Sequence, residues 1–493
     1  MPTRRLPSNP NVEHLRNEAK ALRRLVAAGD PVAVAVAREF DPRAEPTSEY
    51  TLARAQLILA RSYGFPSWPK LRRYLETLAR YARPPQAKET EDDPVDRFLR
   101  LACLTYEGDL PERIRAAREL LATHPELATA SVYTIAAVGD VPSARGLLAA
   151  DPAAARRRGG PHAWEPLLYA CYSRLNSQRA EHSTLEVARL LLEHGADPNA
   201  GFVGDWGPPA FTALTGVFGY GEDAPNQPPH EYERELATVL LEAGADPNDE
   251  QTLYNNHWRR TNEHLELLFR YGLGTGDGGP WRRRLAPLQA TPAQMLEDQL
   301  LFAAQAGNAE RAALLLRHGV DPDGLGTRHP ALRGRTAYQL AFESGQADVV
   351  ERLAEAGAEP PRLDLADEVL AAAMRGESSR VQELVARDES VAQAAIARDP
   401  DRLRHAAELG RLDAARLLVE LGFDVNGKRG AAPLHLAAYN GDRPMVDLLL
   451  ALGADPALHD GEHDATPAAW ARHAHHDELA DYLEEVTVPG GRA

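Results

Sequence analysis

Residues 431–460 read AAPLHLAAYNGDRPMVDLLLALGADPALHD, and this stretch divides into a short apolar helix, a Gly-Asp turn and a second, leucine-rich helix. Ala437 and Ala438 have almost no side chain, so a neighbouring pair of helices can approach them closely. Gly441 permits the tight turn, and Gly453 can adopt the left-handed conformation that ends a helix. One such unit cannot bury its apolar face alone, so the stretch predicts stacked copies beside it.

Copies of the helix-ending phrase recur along the chain. They read HGADPN at 194–199, AGADPN at 243–248, HGVDPD at 318–323, AGAEPP at 356–361 and LGFDVN at 421–426. From Gly195 to Gly453, the successive motif glycines are separated by 49, 75, 38, 65 and 31 residues. Against a period of about 33 residues, the last gap and the 38-residue gap are single steps. The two longest gaps each hide one degenerate copy, one of them ending near Gly272, and the first gap contains an insertion.

The stretch at 431–460 resembles one ankyrin repeat, whose family pattern is roughly TPLHLAAxxGHxEVVxLLLxxGADPN. The resemblance implies an all-α ankyrin-repeat solenoid of stacked helix-turn-helix units with short β-turn loops. We expect about 11 repeats, several of them degenerate, over residues 95–488. His435 stands at the family's histidine position, where it is expected to brace the turn of its own or of the next repeat.

The length and composition of the chain are compatible with this fold. At 493 residues the chain exceeds the size at which a single globular core keeps growing, whereas each solenoid repeat contacts only its neighbours. The sequence contains no run of about 18 apolar residues, so no membrane span is predicted. The N-terminus lacks the apolar region of a secretory signal. Cys103 and Cys171 are expected to be buried thiols, and the protein is predicted to be cytoplasmic.

Residues 1–83 are predicted to form a separate, basic helical module. They hold 13 Arg and 2 Lys against 8 acidic residues, a net charge of +7, so within the total of −17 the remainder carries −24. The segment AQLILARSYGFPSWPKL at 55–71 resembles a short helical element found ahead of ankyrin repeats in many bacterial proteins. The module is expected to cap the first repeat; docking of an acidic partner and a nucleic-acid or regulatory contact are the alternatives. The polar residues 84–94 are predicted to be a linker.

Three insertions interrupt the regular repeats, at about 173–185, 200–232 and 272–292. Long loops in a compact array cost ordering entropy and usually carry function. Four of the six tryptophans, at 164, 206, 258 and 281, fall in this central third of the chain. The sequence therefore places the candidate binding site in the third to fifth repeats.

Aromatic residues of this central third are candidate partner-binding residues. Aligned with the ankyrin pattern, Trp164 lies on the exposed β-turn side, and Tyr169 and Tyr172 take variable positions of the first helix. In ankyrin proteins these positions form the concave face that holds partners, and exposed aromatic side chains suit binding hot spots. An equally weighted alternative is that the insertions fold back and bury these rings as a local core. The aromatic candidates are Trp164, Tyr169, Tyr172, Trp206, Phe211, Tyr220, Trp258 and Trp281.

Two arginine-rich phrases accompany these aromatics, HWRR at 257–260 and WRRR at 281–284. Guanidinium groups beside tryptophan can stack on the ring and bind carboxylate or phosphate. The predicted partner-binding set therefore also includes Arg259, Arg260, Arg282 and Arg283. An acidic peptide or one of the protein's own acidic loops is expected to meet them, and a solvated charge run is the alternative. The net negative charge of the repeats argues against nucleic acid.

Sequence signatures of catalysis are lacking: there is neither a GxxxxGK phosphate loop nor a GxSxG nucleophile turn. The glycine-rich residues 272–276 follow a helix end, not a strand, which makes a dinucleotide loop a poor interpretation. The C-terminal histidines lack zinc-ligand spacing, so neither a metal nor a cofactor is expected. We predict a protein–protein interaction scaffold that binds a partner through its concave face and inserted loops. The alternative is an enzyme or small-molecule-binding protein with a pocket built from the central insertions.

Overall fold

The computed structural model describes residues 4, 6–7, 10–42, 50–83, 93–205, 207–427 and 430–487. Within these ranges the chain forms 28 α-helices, four 3₁₀ helices and one two-stranded antiparallel sheet. The all-α repeat fold predicted from the sequence is confirmed. The chain divides into two compact units. Unit 1 extends to Trp258 and includes Glu263–Pro292, and unit 2 comprises Arg259–Asn262 and the residues from Ala293 onward.

The basic N-terminal segment contains four helices: α1 (Val12–Ala27), α2 (Pro31–Phe40), α3 (Leu52–Ser62) and α4 (Trp68–Tyr81). Leu15 and Ala19, four residues apart, face α3 and are fully buried. The core that they enter also contains residues of the central insertions, namely Val203, Ala210, Trp281 and Leu285. The helices α1, α3 and α4 and the central insertions therefore share one apolar core within unit 1, whereas the buried residues of α2 pack in a separate cluster with Val26, Tyr50, Ala55 and Ile58.

The repeats of unit 1 begin after residues 84–92, which lie outside the described ranges and hold most of the predicted linker. Its helices and strands are α5 (Pro94–Ala102), α6 (Pro111–Thr123), α7 (Val132–Val138), α8 (Val141–Ala150), α9 (Pro166–Tyr172), α10 (Thr184–Glu193), β1 (Gly201–Gly204), β2 (Gly207–Thr212), α11 (Ala213–Phe218), α12 (Glu233–Glu242), α13 (Glu250–Asn255), α14 (Glu263–Arg270) and α15 (Gly279–Leu285). Three 3₁₀ helices lie at Pro125–Thr129, Pro152–Arg156 and Ala224–Asn226. The first helices α7, α9 and α11 pack side by side, as do the second helices α8, α10 and α12.

Unit 2 continues the same helix-turn-helix pattern. Its helices are α16 (Pro292–Ala306), α17 (Ala309–Arg317), α18 (Ala337–Glu343), α19 (Ala347–Glu355), α20 (Leu365–Met374), α21 (Ser378–Arg387), α22 (Val391–Arg398), α23 (Arg402–Glu408), α24 (Leu412–Glu420), α25 (Pro433–Tyr439), α26 (Arg443–Ala451), α27 (Pro467–His473) and α28 (Asp477–Thr487), with a 3₁₀ helix at Pro330–Leu332. A continuous core of Leu, Ala, Val and Met side chains runs from Ala366 to Leu483. None of the helices in the described ranges of either unit is long and apolar enough to cross a bilayer.

Hydrogen bonds between successive motif turns join the repeats, and we call them the turn ladder. At four places in the described residues, the side chain four positions after a motif glycine accepts a hydrogen bond from the N–H two positions after the next motif glycine. The four acceptor–donor pairs are Asn199 with Asp246 at 2.9 Å, Asn248 with Gly274 at 2.8 Å, Asp323 with Glu359 at 3.0 Å and Asn426 with Asp455 at 2.8 Å. The second pair places a repeat end at Gly272, whose φ is +96°.

His435 braces two repeats at once, as expected from its position. Its Nδ1 accepts a hydrogen bond from the Ala432 N–H at 3.2 Å, and its Nε2 lies 3.1 Å from the Ala465 carbonyl oxygen of the next repeat. The ring is fully buried, and burial lowers the pKa of His435. The neutral ring therefore accepts on one side and donates on the other.

Candidate functional site

The predicted aromatic candidates of the third and fourth repeats form a buried core. Trp164, Tyr169, Tyr172 and Phe211 are each at most 1% exposed. The Trp164 ring lies 4.9 Å from the Tyr172 ring and stacks at 4.8 Å on Phe202, which in turn stacks on Phe211 at 5.4 Å. The expectation that Trp164 faces solvent on the β-turn side is therefore wrong. The alternative, a local core beneath the folded-back insertion, describes these rings.

The hairpin of β1 and β2 covers these rings. Phe202 and Phe211 are directly paired across it, so both rings point to the same face. The Tyr172 hydroxyl on α9 donates a hydrogen bond to the Thr212 carbonyl oxygen at 2.8 Å. Burial raises the pKa of Tyr172 well above its ordinary value, so the hydroxyl stays a donor at neutral pH. A ring stack and a hydrogen bond thus fix the insertion to the repeat before it.

The other aromatic candidates differ in their surroundings. Trp281 is 5% exposed. Its indole N–H donates to the Asn199 carbonyl oxygen at 2.9 Å, and its ring meets Tyr81 of α4 edge-on at 4.9 Å. Tyr220 is half-buried, and its backbone N–H donates to the Gln227 carbonyl oxygen at 2.7 Å. Trp206 lies outside the described residues.

Trp258 is the exposed member of the set, with 39% of its surface accessible. The His257 ring lies 3.6 Å from it, and the Tyr254 ring meets it edge-on at 5.3 Å. The Tyr254 hydroxyl donates to the Glu222 carboxylate at 2.7 Å, which connects α13 to the inserted loop of the preceding repeat. We call Tyr254, His257 and Trp258 the aromatic patch.

The predicted arginines divide between the two units. In unit 1, Arg283 binds both oxygens of the Asp277 carboxylate at 2.8 Å, and Arg282 donates to the Asp277 carbonyl oxygen at 2.9 Å. In unit 2, the carbonyl oxygens of Arg259 and Arg260 accept hydrogen bonds from other side chains, and Arg260 is exposed. An acidic residue of the protein's own loop thus meets the WRRR segment.

A groove in unit 1, which we call the carboxylate groove, was missed by the sequence analysis. It consists of two neighbouring pockets whose linings share Asn199, Asp246, Asn248 and Pro280: a small one of about 20 Å³, which we call the inner end, and an open depression of about 340 Å³, which we call the outer part. The inner end is lined by polar residues, among them Asp246, Asn248, Asp249, Glu250 and Gln289, and by apolar residues, namely Pro198, Ala210, Leu214, Ala245, Pro280 and Trp281. The outer part adds Tyr271, Asp277 and Arg283. Among the described residues that line the inner end, none is basic.

The glycine-rich loop at 272–279 forms one wall of this groove. Its five glycines all have positive φ, which side chains other than glycine adopt at a cost. The Asn248 side chain joins the loop to the preceding turn, since its Nδ2 donates to the Thr275 carbonyl oxygen at 3.0 Å. A Cβ on Gly279 would collide with the Asp246 carboxylate. The loop at Gly279 therefore lies so close to the Asp246 carboxylate that only glycine fits at this position.

Asp249 lies at the inner end of the groove and also begins α13. It accepts hydrogen bonds from the Thr252 N–H at 3.0 Å and from the Thr212 hydroxyl. Burial raises the pKa of Asp249 to about 6, although these hydrogen bonds favour the charged form. A negative charge at this position is thus held in a poorly solvated place.

Gln289 is the other unusual residue of the inner end. It is 8% exposed, and its Oε1 is buried without a hydrogen-bond partner among the described residues. Most buried polar atoms in folded proteins are paired. In the sequence, the phrase DPNDE at 246–250 was the one signal of this acidic site, and the other residues that line the inner end lie mostly more than 25 residues before or after it.

Metal binding has no support in the described part of the chain. No group of three or more His, Cys, Asp or Glu side chains there is placed to hold an ion. Of the C-terminal histidines, His459 lies 3.1 Å from the Asp464 carboxylate, and His473 and His475 are exposed.

Comparison with known proteins detects ankyrin repeats in two stretches of the chain. The family model "Ankyrin repeats (3 copies)" matches residues 369–460, and the model "Ankyrin repeat" matches residues 164–201. The matched segments lie in both units. Ankyrin repeats are present.

Curated relatives share a short part of the chain. It is 35% identical over 88 residues to the ARF GTPase-activating protein GIT2 of Rattus norvegicus and 37% identical over 78 residues to a putative ankyrin repeat protein of Acanthamoeba polyphaga mimivirus. It is 34% identical over 87 residues to the inactive serine/threonine-protein kinase TEX14 of Mus musculus. These matches cover 15 to 17% of this chain and 12%, 11% and 6% of the respective relatives. The relatives are eukaryotic or viral, so the bacterial type of the repeats stays a prediction.

Proposed function

We propose that this chain is a protein-binding module whose partner contacts the aromatic patch of unit 1 and the inserted loops beside it. The exposure of Trp258 carries the proposal, because Trp164 and Trp281 in the same unit are buried. Stacked repeats present extended binding surfaces, and exposed tryptophan is enriched among residues that dominate binding energy. The ankyrin repeats detected in the chain support the same role.

The patch rests on a preorganised support. Arg174, which is 3% exposed, donates to the Gly216 carbonyl oxygen at 2.6 Å and to the Pro228 carbonyl oxygen at 2.8 Å. These bonds hold the inserted loop that carries Glu222, the partner of Tyr254. A surface ordered before binding loses less entropy when a partner docks. The buried rings of the third and fourth repeats therefore serve the proposed surface as its support.

The four predicted arginines are proposed to contribute a basic rim in their respective units. Arg283 already has a carboxylate partner in Asp277, so an acidic partner would have to compete with that pair. Such exposed ion pairs contribute at most about 1 kcal/mol, and salt weakens them. A peptide that carries several carboxylates can therefore displace Asp277 from Arg283 at a small cost in free energy.

Substitution of Trp258 by alanine tests the proposal. Proteins crosslinked to the wild-type chain in lysate would be identified, and the affinity of each purified candidate would then be measured for both forms. We expect Trp258→Ala to weaken binding by at least about ten-fold, which corresponds to about 1.4 kcal/mol. Leu288→Ala is the matched control, because Leu288 is 44% exposed in the same unit and lies outside the patch. Equal affinities of wild type and Trp258→Ala for every captured protein would contradict the proposal.

Small-molecule binding is a second candidate function. The carboxylate groove favours it, since an insertion and two motif turns together form an open depression of about 340 Å³. Ligand pockets in proteins start at roughly this size. The polar side chains that line the depression can accept hydrogen bonds from a ligand. The groove is therefore better suited to binding a ligand than to catalysing a reaction.

The remaining organisation of the chain is also a proposal. We infer a basic module at 1–83, a linker at 84–94 and a repeat array at 95–488. A cytoplasmic location fits the two cysteines, Cys103 and Cys171, which are both free and buried. Limited proteolysis that cleaves first within 84–94 would support the boundaries, and first cleavage elsewhere would contradict them.

A further inference from the structure

We propose that Ser177 and His182, in the inserted loop at 173–185, form an acyl-transfer site in which the Ser177 hydroxyl is the nucleophile and the His182 ring is its base. Such a site would hydrolyse carboxylic esters through an acyl-serine. This inference goes beyond the proposed protein-binding role and does not depend on the aromatic patch. Three observations support it: the hydrogen bond between the two side chains, a carboxylate on the far side of the ring, and the exposure of the loop that carries the serine.

The contact between Ser177 and His182 has the geometry that activation of a nucleophile requires. Ser177 Oγ lies 2.8 Å from His182 Nδ1, within the range of about 2.6–3.2 Å that joins a nucleophile to its base. The Arg179 N–H donates to the same Oγ at 3.4 Å. The serine oxygen accepts that bond with a lone pair, so its hydroxyl proton is available for His182 Nδ1.

The surroundings of His182 keep the ring neutral and oriented. The residue is 8% exposed, and burial lowers its pKa below the ordinary value, so Nδ1 can accept a proton at neutral pH. On the other side of the ring, Nε2 lies 4.0 Å from Asp140 Oδ2. The other oxygen of Asp140 accepts from the Ser143 N–H at 2.9 Å, which fixes the carboxylate at the start of α8. At 4.0 Å the carboxylate acts through its charge and stabilises the protonated ring.

The serine lies on an exposed loop whose base is fixed. Ser177 is half-buried, and its neighbours at 176 and 178–181 are exposed. Asn176 has a φ of +48°, so the chain turns immediately before the serine. The Arg118 side chain donates to the Leu175 carbonyl oxygen at 2.9 Å and thereby holds the base of the loop. An ester can therefore reach Ser177 Oγ from solvent while the histidine stays sheltered.

The reaction follows from these roles. Ser177 Oγ forms a bond to the carbonyl carbon of the ester while its proton passes to His182 Nδ1. The bond from that carbon to the leaving oxygen breaks, and the leaving group takes the proton from Nδ1 and departs as an alcohol. Water then attacks the acyl-serine and gives a proton to Nδ1, which returns it to the serine oxygen as the carboxylic acid leaves. In serine proteases Nε2 faces the serine, whereas here Nδ1 does, and either nitrogen can accept the proton while the other carries one.

The test uses the full-length chain and two probes, p-nitrophenyl acetate and a fluorophosphonate. We expect wild type to release p-nitrophenolate at least about a hundred-fold faster than Ser177→Ala, and the fluorophosphonate to label Ser177 in peptide mass spectrometry. Ser143→Ala, which replaces a half-buried serine on α8, is the control and should react like wild type. Equal rates of wild type and Ser177→Ala, or labelling that leaves Ser177 unmodified, would overturn the proposal.

The variant His182→Asn separates a base from a structural hydrogen-bond partner. Asparagine keeps an acceptor for the Ser177 hydroxyl but cannot take up its proton at neutral pH. The rate of p-nitrophenolate release should therefore fall by about a hundred-fold, while the melting temperature stays close to that of wild type. A folded His182→Asn protein with the wild-type rate would contradict the role of His182 as the base.

The variant Asp140→Asn tests the positioning carboxylate, because it keeps an acceptor for the Ser143 N–H and removes the charge. Burial lowers the pKa of His182; among the charged groups that face the ring, Asp140 and Glu181 raise it and Arg179 lowers it. Loss of the Asp140 charge should thus slow the reaction and move its pH–rate profile to lower pH. An unshifted profile in the folded variant would contradict the arrangement. Trp258→Ala should react like wild type, so this proposal and the protein-binding proposal can fail separately.

Discussion

At the scale of single residues, burial reverses several assignments that sequence position suggests. Trp164 occupies a turn position that faces solvent in the repeat pattern, yet a hairpin more than 35 residues further along covers it. Trp258 and Trp281 look alike in sequence, since arginines follow both, but only the first is exposed. The local pattern drew attention to the aromatic residues of the central third, and their role in binding a partner stays a prediction. Which of them a distant insertion covers depends on tertiary packing, which the local pattern does not encode.

His230 gives a pH prediction at this scale. Its Nδ1 accepts from the Tyr232 N–H at 3.0 Å, its Nε2 lies 3.2 Å from the Thr184 hydroxyl, and burial lowers its pKa to about 3. In the unfolded chain the His230 ring binds a proton as the pH falls below about 6.5, whereas in the folded chain the ring stays neutral until the pH approaches 3. The stability that the neutral ring confers is complete above that pH and is lost as the pH falls towards 3.

The measurement for His230 is the free energy of unfolding between pH 7.5 and 5. On lowering the pH to 5, wild type should lose about 2 kcal/mol more than His230→Asn, which keeps an acceptor for Tyr232. Comparing slopes cancels the contribution of other groups, including Asp249, whose raised pKa acts in the opposite direction. Parallel pH profiles of the two proteins would show that His230 does not titrate as proposed.

At the scale of elements, the turn ladder explains why the helix-ending phrase recurs. The asparagine of GADPN is a structural acceptor for the next repeat, and Asp323 shows that a carboxylate oxygen serves equally. Helix pairs and their glycine turns could be predicted from period and composition. The hairpin Gly201–Thr212 could not be, because its glycines and prolines have low strand propensity and its pairing depends on the rings beneath it.

Asn426→Ala tests the ladder. It removes the acceptor of the Asp455 N–H, a hydrogen bond of 2.8 Å, and should lower the free energy of unfolding by about 1 kcal/mol. Asn426→Asp keeps the oxygen and should retain most of the wild-type stability. Denaturant titrations of the three proteins make the comparison. Equal destabilisation by Ala and Asp would show that the acceptor oxygen is not what the position provides.

At the scale of the whole molecule, the chain is a set of local interfaces grouped into two units. In such arrays stability is close to a sum of repeat and interface contributions. Damage to one buried cluster should therefore remain in the unit that contains it. The charge imbalance between the basic N-terminal segment and the acidic repeats could be predicted from composition. That the core of the N-terminal segment also contains residues of the central insertions could not be.

Hydrogen exchange of Trp164→Ala measures this confinement. Truncating a buried tryptophan costs about 3–5 kcal/mol, so amides of α9 and α11 should exchange roughly a hundred-fold faster or more. Those of α25 and α27 should keep their wild-type rates. Trp470→Ala is the reciprocal variant, because Trp470 donates to Asp460 at 3.0 Å within unit 2. Faster exchange throughout both units in either variant would contradict the confinement.

The turn ladder also gives the array a chemical polarity. In each ladder bond, a backbone N–H of the later turn donates to a side-chain oxygen of the earlier turn. A backbone N–H is available at every residue except proline, whereas the side-chain oxygen must be encoded. A foreign repeat placed after a turn that carries this oxygen can therefore join the ladder with almost any sequence, whereas the turn at Gly453, with Ala457 at the acceptor position, would first need an asparagine or aspartate there. A repeat grafted onto the N-terminal side must bring its own asparagine or aspartate, so each ladder bond is permissive on its donor side and selective on its acceptor side.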